Sequence, residues 1–309
     1  MAARLLDGTL VAAAIRDECR PRIAAFAAAA GRPPGLGIVL AGHDPASEIY
    51  VRNKVKKAAE VGLYAELIRI GADRPVQDVL EVVARLNSRA DIDGVPVQSP
   101  LPAGMGEDAE MRVIDAIDPA KDVDGFTTVN VGRLVQNRGG LSACTPTGVI
   151  EILERAGVPI KGAHAVVIGR SDIVGKPMAL MLLHRHATVT ICHSKTVDLP
   201  GVARTADILV AAIGRPGFVT PDFVRPGAVV VDVGTTQVTD AALVEQLFDA
   251  QSPRRAAFAR NGSLVVGDVH PSVAQVAGAM TPVPGGVGPL TIALLLANTI
   301  RAAETRLAR

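Results

Sequence analysis

The sequence predicts an α/β protein that consists of two α/β domains. Its 309 residues are enough for two domains of ordinary size. Short runs rich in Val and Ile alternate with helix-like segments along most of the chain, which is typical of parallel sheets buried on both faces. A loop-rich stretch near residues 125–148 interrupts this alternation, and the pattern restarts from Gly162. The interruption indicates a change of domain.

The first predicted domain alternates strands and helices. Residues 35–42 (GLGIVLAG) form a short apolar run bounded by glycines, which predicts a buried strand. A helix follows, because Asp44 is a favourable N-cap residue and Pro45 suits the first helical position. Gly62 is a favourable C-terminal stop for that helix. Further strands are expected at 63–70 and at the start of 93–102, further helices at 76–88 and 107–117, and a loop-rich stretch at 118–134.

The second predicted domain opens with a helix over residues 145–158. Val- and Ile-rich strands, separated by helical or loop segments, are then expected at 164–169, 187–192, 207–214 and 228–234. After TPVPGGVGP, the chain ends in one apolar helix. We expect the domain limits to be 1–143 and 144–286, with the last helix, 287–309, packed back on the first domain.

Composition and charge exclude several classes of function. The formal net charge is +1, so no basic excess is present to neutralise phosphates. The longest late apolar run, LTIALLLANTI, is too short to span a bilayer. Charges at Arg4, Asp7 and Arg16 predict an amphipathic N-terminal helix instead of a signal peptide. We therefore expect a cytoplasmic protein with no nucleic-acid or membrane partner.

The three cysteines are odd in number and widely spaced, at Cys19, Cys144 and Cys192. No pair has the spacing of metal ligands, and the pattern indicates neither a disulfide framework nor a zinc site. The sequence therefore predicts a reducing compartment and no bound metal.

Residues 165–177 (AVVIGRSDIVGKP) have the order strand, glycine-containing turn, helix start. This order suits the dinucleotide-binding loop of a Rossmann-like domain, because Gly169 permits a tight turn and Gly175 lets the backbone approach a phosphate. The helix start supplies free N–H groups and the positive end of a dipole. Two of the three fingerprint glycines are present, so a purely structural strand-to-helix turn is the alternative.

The polar residues around this loop favour NADP over NAD. An NAD site typically has Asp or Glu at the end of the next strand, where it accepts a hydrogen bond from the ribose 2′-hydroxyl. Here that strand ends in CHSKT, which contains no acid. The alternative is that the polar residues are ordinary exposed groups. Cations and hydroxyl groups that suit a 2′-phosphate are supplied by Arg170, Ser171, Ser194 and Lys195.

The predicted helix after Asp44 places Tyr50 and Lys54 on one face, because residues four apart share a face of a helix. The simplest interpretation is a tyrosine at the margin of the core with a lysine extending over it to solvent. The Tyr-x-x-x-Lys spacing also occurs in short-chain dehydrogenases. In that family the glycine loop comes first and the tyrosine later, so the order here, Tyr50 before Gly169, excludes it.

Eight segments occur in one order along the chain: DPASEIYVRNKVKKAAEVG, VQSPLP, KDVDGF, CTPTG, GRSDIVGKP, CHSKT, GDV and TPVPGGVGPLT. Together they resemble the bifunctional methylenetetrahydrofolate dehydrogenase/methenyltetrahydrofolate cyclohydrolase family. The resemblance covers the chain from about Gly35 to Asn298. Its most specific parts are PVPGGVGP, KDVDGF and the helix that contains Tyr50 and Lys54.

The resemblance implies an arrangement and an activity. The first domain and the last helix form one lobe, the NADP-binding domain forms the other, and folate lies in the cleft between them. Such an enzyme would oxidise 5,10-methylenetetrahydrofolate with NADP and hydrolyse the product to 10-formyltetrahydrofolate, as a homodimer. Lys54 is the central cyclohydrolase residue and Gln98 tunes it. Tyr50 stacks on or orients the folate, and Asp124 holds the pterin.

The resemblance also implies further contacts. Folate would meet Tyr50, Gln98, Asp124 and the loop residues Pro284, Gly285 and Gly286. NADP would meet Gly169, Arg170, Ser171, Ile173, Gly175, Ser194 and Thr235.

Two departures from the family pattern bear on the polarity of the nicotinamide pocket and on the relative rates of the dehydrogenase and cyclohydrolase reactions. Ser99 stands where the family usually has Leu, and DVGTTQ (residues 232–237) stands where it usually has DVGIN. Without the resemblance, DVDG around Asp124 predicts a turn with aspartate caps, and residues 282–289 predict a rigid loop. The alternatives in function are a shikimate-type two-domain dehydrogenase and a catalytically silent folate-binding protein.

Overall fold

A computed structural model describes residues 3–308 of the chain. They form two compact units. The lysine unit, named for Lys54, comprises Ala12–Cys144 and the described residues from Thr291 onward. The glycine-loop unit, named for the loop after Ile168, comprises the described residues up to Val11 together with Thr145–Leu290.

The strands and helices follow one another in the alternation that the sequence predicts, and the α/β fold class is confirmed. The strands are β1 (Arg4–Leu5), β2 (Gly35–Ala41), β3 (Tyr64–Ile70), β4 (Val97–Gln98), β5 (His164–Ile168), β6 (Thr188–Cys192), β7 (Ile208–Ala211), β8 (Val229–Asp232), β9 (Thr236–Val238), β10 (Leu264–Val266) and β11 (Ala279–Met280). The helices are α1 (Gly8–Ala30), α2 (Pro45–Val61), α3 (Val76–Ser88), α4 (Ala109–Ala116), α5 (Thr128–Val135), α6 (Cys144–Arg155), α7 (Gly175–His184), α8 (Leu199–Ala203), α9 (Ala241–Leu247), α10 (Pro253–Asn261) and α11 (Val287–Leu307).

The lysine unit is built on a small parallel sheet with the strand order β3-β2-β4. Every residue of the central strand β2 is buried, which explains its unbroken apolar sequence. Helices α3 and α4 pack with the sheet around one apolar cluster that includes Val39, Val83 and Val113. Because β2 and β4 run parallel, their carboxyl ends lie at the same edge of the sheet, and α2 starts from that edge.

Helix α2 has the limits that its sequence predicts. The Asp44 carboxylate accepts a hydrogen bond of 2.8 Å from the Ser47 N–H, and Pro45 occupies the first turn. At the other end Gly62 adopts a left-handed conformation with φ 96°. The buried residues Ser47, Val51, Lys54, Ala58 and Val61 lie along one stripe of the helix, so Lys54 enters a largely apolar face.

The glycine-loop unit contains a six-stranded parallel sheet with the order β1-β11-β8-β7-β5-β6. The chain leaves β5 toward β6 on one side and returns to β7 on the other. This reversal places a crevice at the carboxyl ends of β5, β6 and β7, where ligands bind in open α/β sheets. A separate antiparallel hairpin joins β9 and β10.

Three expectations need correction. The expected N-terminal helix begins only at Gly8, and Arg4–Leu5 instead form β1, paired with β11 far along the chain; the first two residues lie outside the described part. The expected loop at 118–134 contains α5, whose N-cap Thr127 accepts from the Asn130 N–H. Within 93–102, the named strand is limited to Val97–Gln98.

The described residues also include elements that the sequence did not predict, namely β11, the β9–β10 hairpin and the helices α8 to α10. These elements are short and are defined by distant pairing or by turns. Between residues 3 and 308, none of the helices combines the length and apolar character needed to cross a membrane.

The C-terminal end of α3 is held by a buried lysine. Lys121 is 1% exposed, and its ammonium donates hydrogen bonds to the carbonyl oxygens of Leu86 (2.9 Å), Asn87 (2.7 Å) and Arg89 (2.6 Å). Carbonyls at a helix end have no partner within the helix, so the ammonium satisfies them and complements the negative end of the dipole.

We expect Lys121→Met to lower the free energy of unfolding by about 3 kcal/mol, because the buried carbonyls lose their donor while the side-chain volume is nearly kept. Urea denaturation measures the effect. Lys161→Met, at an exposed position, is the matched control and should change little. An unfolding midpoint equal to that of the wild type would contradict a capping role for Lys121.

Candidate functional site

A buried amine and a fixed amide meet at the sheet edge of the lysine unit. Lys54 is 6% exposed, and its Nζ donates to Gln98 Oε1 at 3.2 Å. Gln98 is the last residue of β4 and pairs in register with Leu40 of β2. Its Nε2 donates to the backbone oxygen of Ser99 at 2.7 Å, which turns Oε1 toward the lysine. Since Ser99 contributes its backbone oxygen, its departure from the family residue leaves this contact in place.

Tyr50 lies one helical turn before Lys54 and covers it. The Lys54 Nζ is 5.2 Å from the centre of the Tyr50 ring, within the range of a cation–π contact. The phenol also forms a hydrogen bond with the Thr291 side chain of α11. Burial raises the pKa of Tyr50 well above its usual value, so the phenol stays protonated. Tyr50 therefore offers a neutral hydroxyl and an aromatic face, and Lys54 does not extend to solvent.

The turn in DVDG is held by Asp122, the first of its two aspartates. The buried Asp122 carboxylate accepts from the N–H groups of Gly125 (2.9 Å), Phe126 (3.1 Å) and Thr127 (2.8 Å). It also accepts from Asn130 Nδ2 at 2.9 Å. The capping role that the turn interpretation gave to the aspartates therefore belongs to Asp122.

Asp124 belongs to the electrostatic surroundings of Lys54. Burial raises the pKa of Asp124, the positive charge of Lys54 opposes that shift, and the negative charge of Asp122 adds to it. Cys144 shares these surroundings, and burial raises the pKa of its thiol well above the usual value. The thiol stays protonated and is no nucleophile. The structure thus brings together all four predicted residues, Tyr50, Lys54, Gln98 and Asp124.

Asn298 of α11 fixes the backbone beside Asp124, a role that no local sequence pattern predicts. Its Nδ2 donates to the oxygens of Val123 at 2.8 Å and of Ser142 at 3.0 Å. The Cys144 Sγ donates to the same Val123 oxygen at 3.2 Å. Both contacts join residues that are distant in sequence, so only folding reveals them.

The loop after β5 accepts only glycine at two positions. Gly169 has φ 129°, and a Cβ there would lie 2.2 Å from the Ala212 oxygen. A Cβ at Gly175 would lie 2.4 Å from the Gly169 oxygen. Ser171 Oγ accepts from the N–H groups of Val174 and Gly175, both at 3.2 Å, and so holds the turn that precedes α7.

A cavity of about 310 Å³ opens at this loop, at the carboxyl ends of β5, β6 and β7. Its chemistry fits a phosphorylated ribose, since cations and hydroxyl groups line it and acids do not. His193 and Arg215 also line the cavity and were not predicted from the sequence. The guanidinium carbon of Arg215 lies 4.2 Å from the centre of the Phe218 ring. The backbone N–H of Arg215 donates to the buried carboxylate of Asp268 at 2.7 Å. The polar side chains of the lining are Arg170, Ser171, His193, Ser194 and Arg215.

The other predicted contacts lie outside the lining of this cavity. Gly175 is buried at the start of α7, and Ile173 is 45% exposed on the turn before it. Thr235 is exposed after β8. The loop residues Pro284, Gly285 and Gly286 precede α11 and belong to the glycine-loop unit, where the Thr9 N–H donates to the Gly285 oxygen at 3.1 Å.

Comparison with known protein families gives matches to both parts of the chain. Residues 6–124 match the catalytic domain of tetrahydrofolate dehydrogenase/cyclohydrolase. Residues 143–307 match the NAD(P)-binding domain of tetrahydrofolate dehydrogenase/cyclohydrolase.

Curated relatives match over nearly their whole length. The bifunctional protein FolD of Koribacter versatilis is 56% identical over 306 residues, which cover 99% of this chain and 98% of the relative. The bifunctional protein FolD of Moorella thermoacetica is 48% identical over 305 residues, which cover 98% of this chain and 100% of the relative.

Solved structures share the architecture. The methylenetetrahydrofolate dehydrogenase-cyclohydrolase of Trypanosoma brucei, solved with NADP cofactor and an inhibitor, has a TM-score of 0.88 and 36% identity, covering 100% of each chain. The Campylobacter jejuni bifunctional enzyme has a TM-score of 0.86 and 36% identity, covering 99% of this chain and 100% of the other.

Proposed function

Because this chain belongs to the tetrahydrofolate dehydrogenase/cyclohydrolase family, we propose that Tyr50, Lys54, Gln98 and Asp124 form its folate site. The chain is an NADP-dependent methylenetetrahydrofolate dehydrogenase and a methenyltetrahydrofolate cyclohydrolase. The observation that supports the site best is the buried Lys54 amine, 3.2 Å from Gln98 Oε1 and electrostatically coupled to Asp124. This amine is the group that a hydrolysis step needs.

The oxidation step requires the protein mainly to position the folate and the cofactor. When bound, NADP accepts a hydride from the one-carbon bridge of 5,10-methylenetetrahydrofolate, and the bridge becomes a methenyl cation. No strong acid or base is required. The Asp124 carboxylate accepts from the paired N–H groups of the pterin, and the neutral Tyr50 ring packs against the folate. Pro284, Gly285 and Gly286 complete the folate contacts in this proposal.

Hydrolysis requires proton transfer. Water adds to the methenyl carbon and loses a proton, the bridge nitrogen N5 takes up a proton, and the bond from that carbon to N5 breaks. Loss of the hydroxyl proton then gives 10-formyltetrahydrofolate, so one proton is released overall. We assign the transfers to the Lys54 amine, held in place by Gln98 Oε1. Burial raises the pKa of Tyr50 and of Cys144, so neither of these groups takes up the proton in this step.

The cavity at the loop after β5 is assigned to the 2′-phosphorylated end of NADP. Arg170, Ser171 and Ser194 line it, and their donors suit a phosphate. In this proposal Gly175 supplies the N-terminus of α7, and Ile173 and Thr235 complete the contacts as the family resemblance implies.

We also propose a cytoplasmic homodimer that takes tetrahydrofolate derivatives and binds neither nucleic acid nor membrane. The free, buried cysteines suit a reducing compartment, and the net charge of +1 gives no basic excess. The homodimer follows from the family resemblance. Light scattering on the purified protein should give twice the chain mass of 32.0 kDa; the mass of a single chain would contradict it.

Lys54→Met should separate the two reactions. We expect hydrolysis of methenyltetrahydrofolate to fall at least about a hundredfold, because the proton-transferring group is lost. Oxidation with NADP should continue, so methenyl product accumulates and its absorbance reports it. Lys56→Met, exposed on the same helix, is the matched control. Full hydrolysis by Lys54→Met would remove this lysine from the mechanism, and no turnover by the wild type would leave a silent binding protein.

Folate binding should weaken on the acid side of neutrality. Burial raises the pKa of Asp124, so its carboxylate becomes protonated at a higher pH than an ordinary aspartate. As pH falls through that pKa, the pterin loses its acceptor and the dissociation constant rises. Titration of folic acid binding against pH measures this. In Asp124→Asn the affinity should be low and lack this pH dependence; an unchanged profile would reassign the wild-type effect to another group.

Arg170→Gln should act on NADP selectively. The loss of a charged donor to the 2′-phosphate is expected to raise KM for NADP by about 10- to 100-fold, which corresponds to roughly 1.5–3 kcal/mol. KM for NAD, which has no such phosphate, should stay nearly constant. Arg260→Gln, at an exposed position outside the cavity lining, is the control. Equal effects on both cofactors would place Arg170 away from the 2′ position.

A further inference from the structure

The lysine unit has a second cavity whose lining contains none of the four folate-site residues. It measures about 620 Å³ and lies between α5, the loop that follows α5, and the C-terminal half of α11. Three arginines line it, Arg133, Arg138 and Arg301, and no acidic residue does. The cavity therefore concentrates positive charge in a concave surface.

These guanidinium groups have no acidic partner within the described part of the chain. The ion pairs found over residues 3–308 include none with Arg133, Arg138 or Arg301. Elsewhere on α11 the charges are paired, Glu304 with Arg22 at 2.6 Å and Arg306 with Asp93 at 2.6 Å. Three like charges around one cavity repel one another, and an anion that enters the cavity relieves this repulsion.

We propose that this cavity binds a multiply charged oxyanion, a phosphate or a polycarboxylate. Guanidinium groups bind such oxyanions through paired N–H donors. The walls leave space for a ligand, since a Cβ at Gly132 or Gly139 would meet no atom within 4 Å. At Gly140 a Cβ would lie 3.2 Å from Arg133 Cδ, so the absence of a side chain lets the loop approach that arginine.

A chain of hydrogen bonds leads from this cavity to the loop that carries Asp124. Arg133 Nη1 donates to Asn130 Oδ1 at 3.2 Å. Asn130 is 1% exposed, and its Nδ2 donates to Asp122 Oδ2 and to the Pro119 oxygen, both at 2.9 Å. Asp122 holds the loop that carries Asp124. An anion that draws Arg133 away from Asn130 loosens this support, so occupancy should weaken folate binding; this second part rests on the proposed function.

The binding test uses the whole protein with saturating NADP, so that the Arg170 cavity is filled. Inorganic phosphate and citrate are titrated in separate calorimetric experiments at constant ionic strength, with sodium chloride as the reference. We expect one binding site, with the tighter anion identifying the ligand class. Arg138→Gln and Arg301→Gln should each weaken binding at least tenfold, and Arg112→Gln, an exposed arginine outside the lining, should leave it unchanged.

Gly132→Phe tests the cavity without removing a charge. Gly132 lies within α5 without a positive φ, so a side chain is compatible with the helix and should fill the cavity. Its melting temperature should match that of the wild type, and anion binding should be lost. Binding of neither anion above the chloride reference, or equal binding by the wild type and the variants, would overturn the proposal.

A kinetic measurement tests the link to the folate site separately. With the tighter anion present, KM for 5,10-methylenetetrahydrofolate should rise at least twofold in the wild type and stay constant in Arg301→Gln. A constant KM in a wild-type protein that binds the anion would overturn the link through Asn130 and leave the binding site standing. Absence of all turnover would contradict the proposed function, whereas the calorimetric result does not depend on it.

Discussion

An ammonium group buried on a largely apolar helix face must find polar partners, and the residues around Lys54 supply them. Burying an unpaired charge is far more costly than the typical net stability of a domain allows. Lys54 is compensated by a hydrogen bond to the Gln98 oxygen, a cation–π contact with the Tyr50 ring and the nearby Asp124 carboxyl. The partners that make its burial tolerable are also the groups that surround a folate in the proposed function.

Buried carboxylates give the surrounding loops their fixed positions in both units. Asp122 accepts four hydrogen bonds from the segment around Asp124, and Asp268 accepts the backbone N–H groups of Ile213, Gly214 and Arg215. Each carboxylate is satisfied by several donors, so the loop around it has one low-energy conformation. The loops at the two sheet edges are thus held by the buried acids Asp122 and Asp268, which take no part in the proposed chemistry.

Oxidation and hydrolysis place different requirements on the residues and loops of the proposed sites. Hydride transfer needs aligned rings, so the proposed oxidation depends on loops with fixed positions. Hydrolysis needs a group that exchanges protons, and burial disfavours two candidates, because it raises the pKa of Tyr50 and of Cys144. In the proposed mechanism, one lysine on a well-capped helix adds the second activity to a site that otherwise only positions its ligands.

The sequence by itself determined the α/β class, the limits of α2, the glycine turn after β5 and the joint appearance of Tyr50 and Lys54 on one face. These features depend on local rules of capping, periodicity and backbone conformation, which act over a few residues. Only the tertiary structure decided that Arg4–Leu5 form a strand, that Asp122 and not Asp124 caps the turn, and that Asn298 supports the site. It also assembled Arg133, Arg138 and Arg301 around one cavity. Each of these depends on contacts between segments that are distant in sequence, or on which of two similar side chains is turned inward, and no local pattern contains that information.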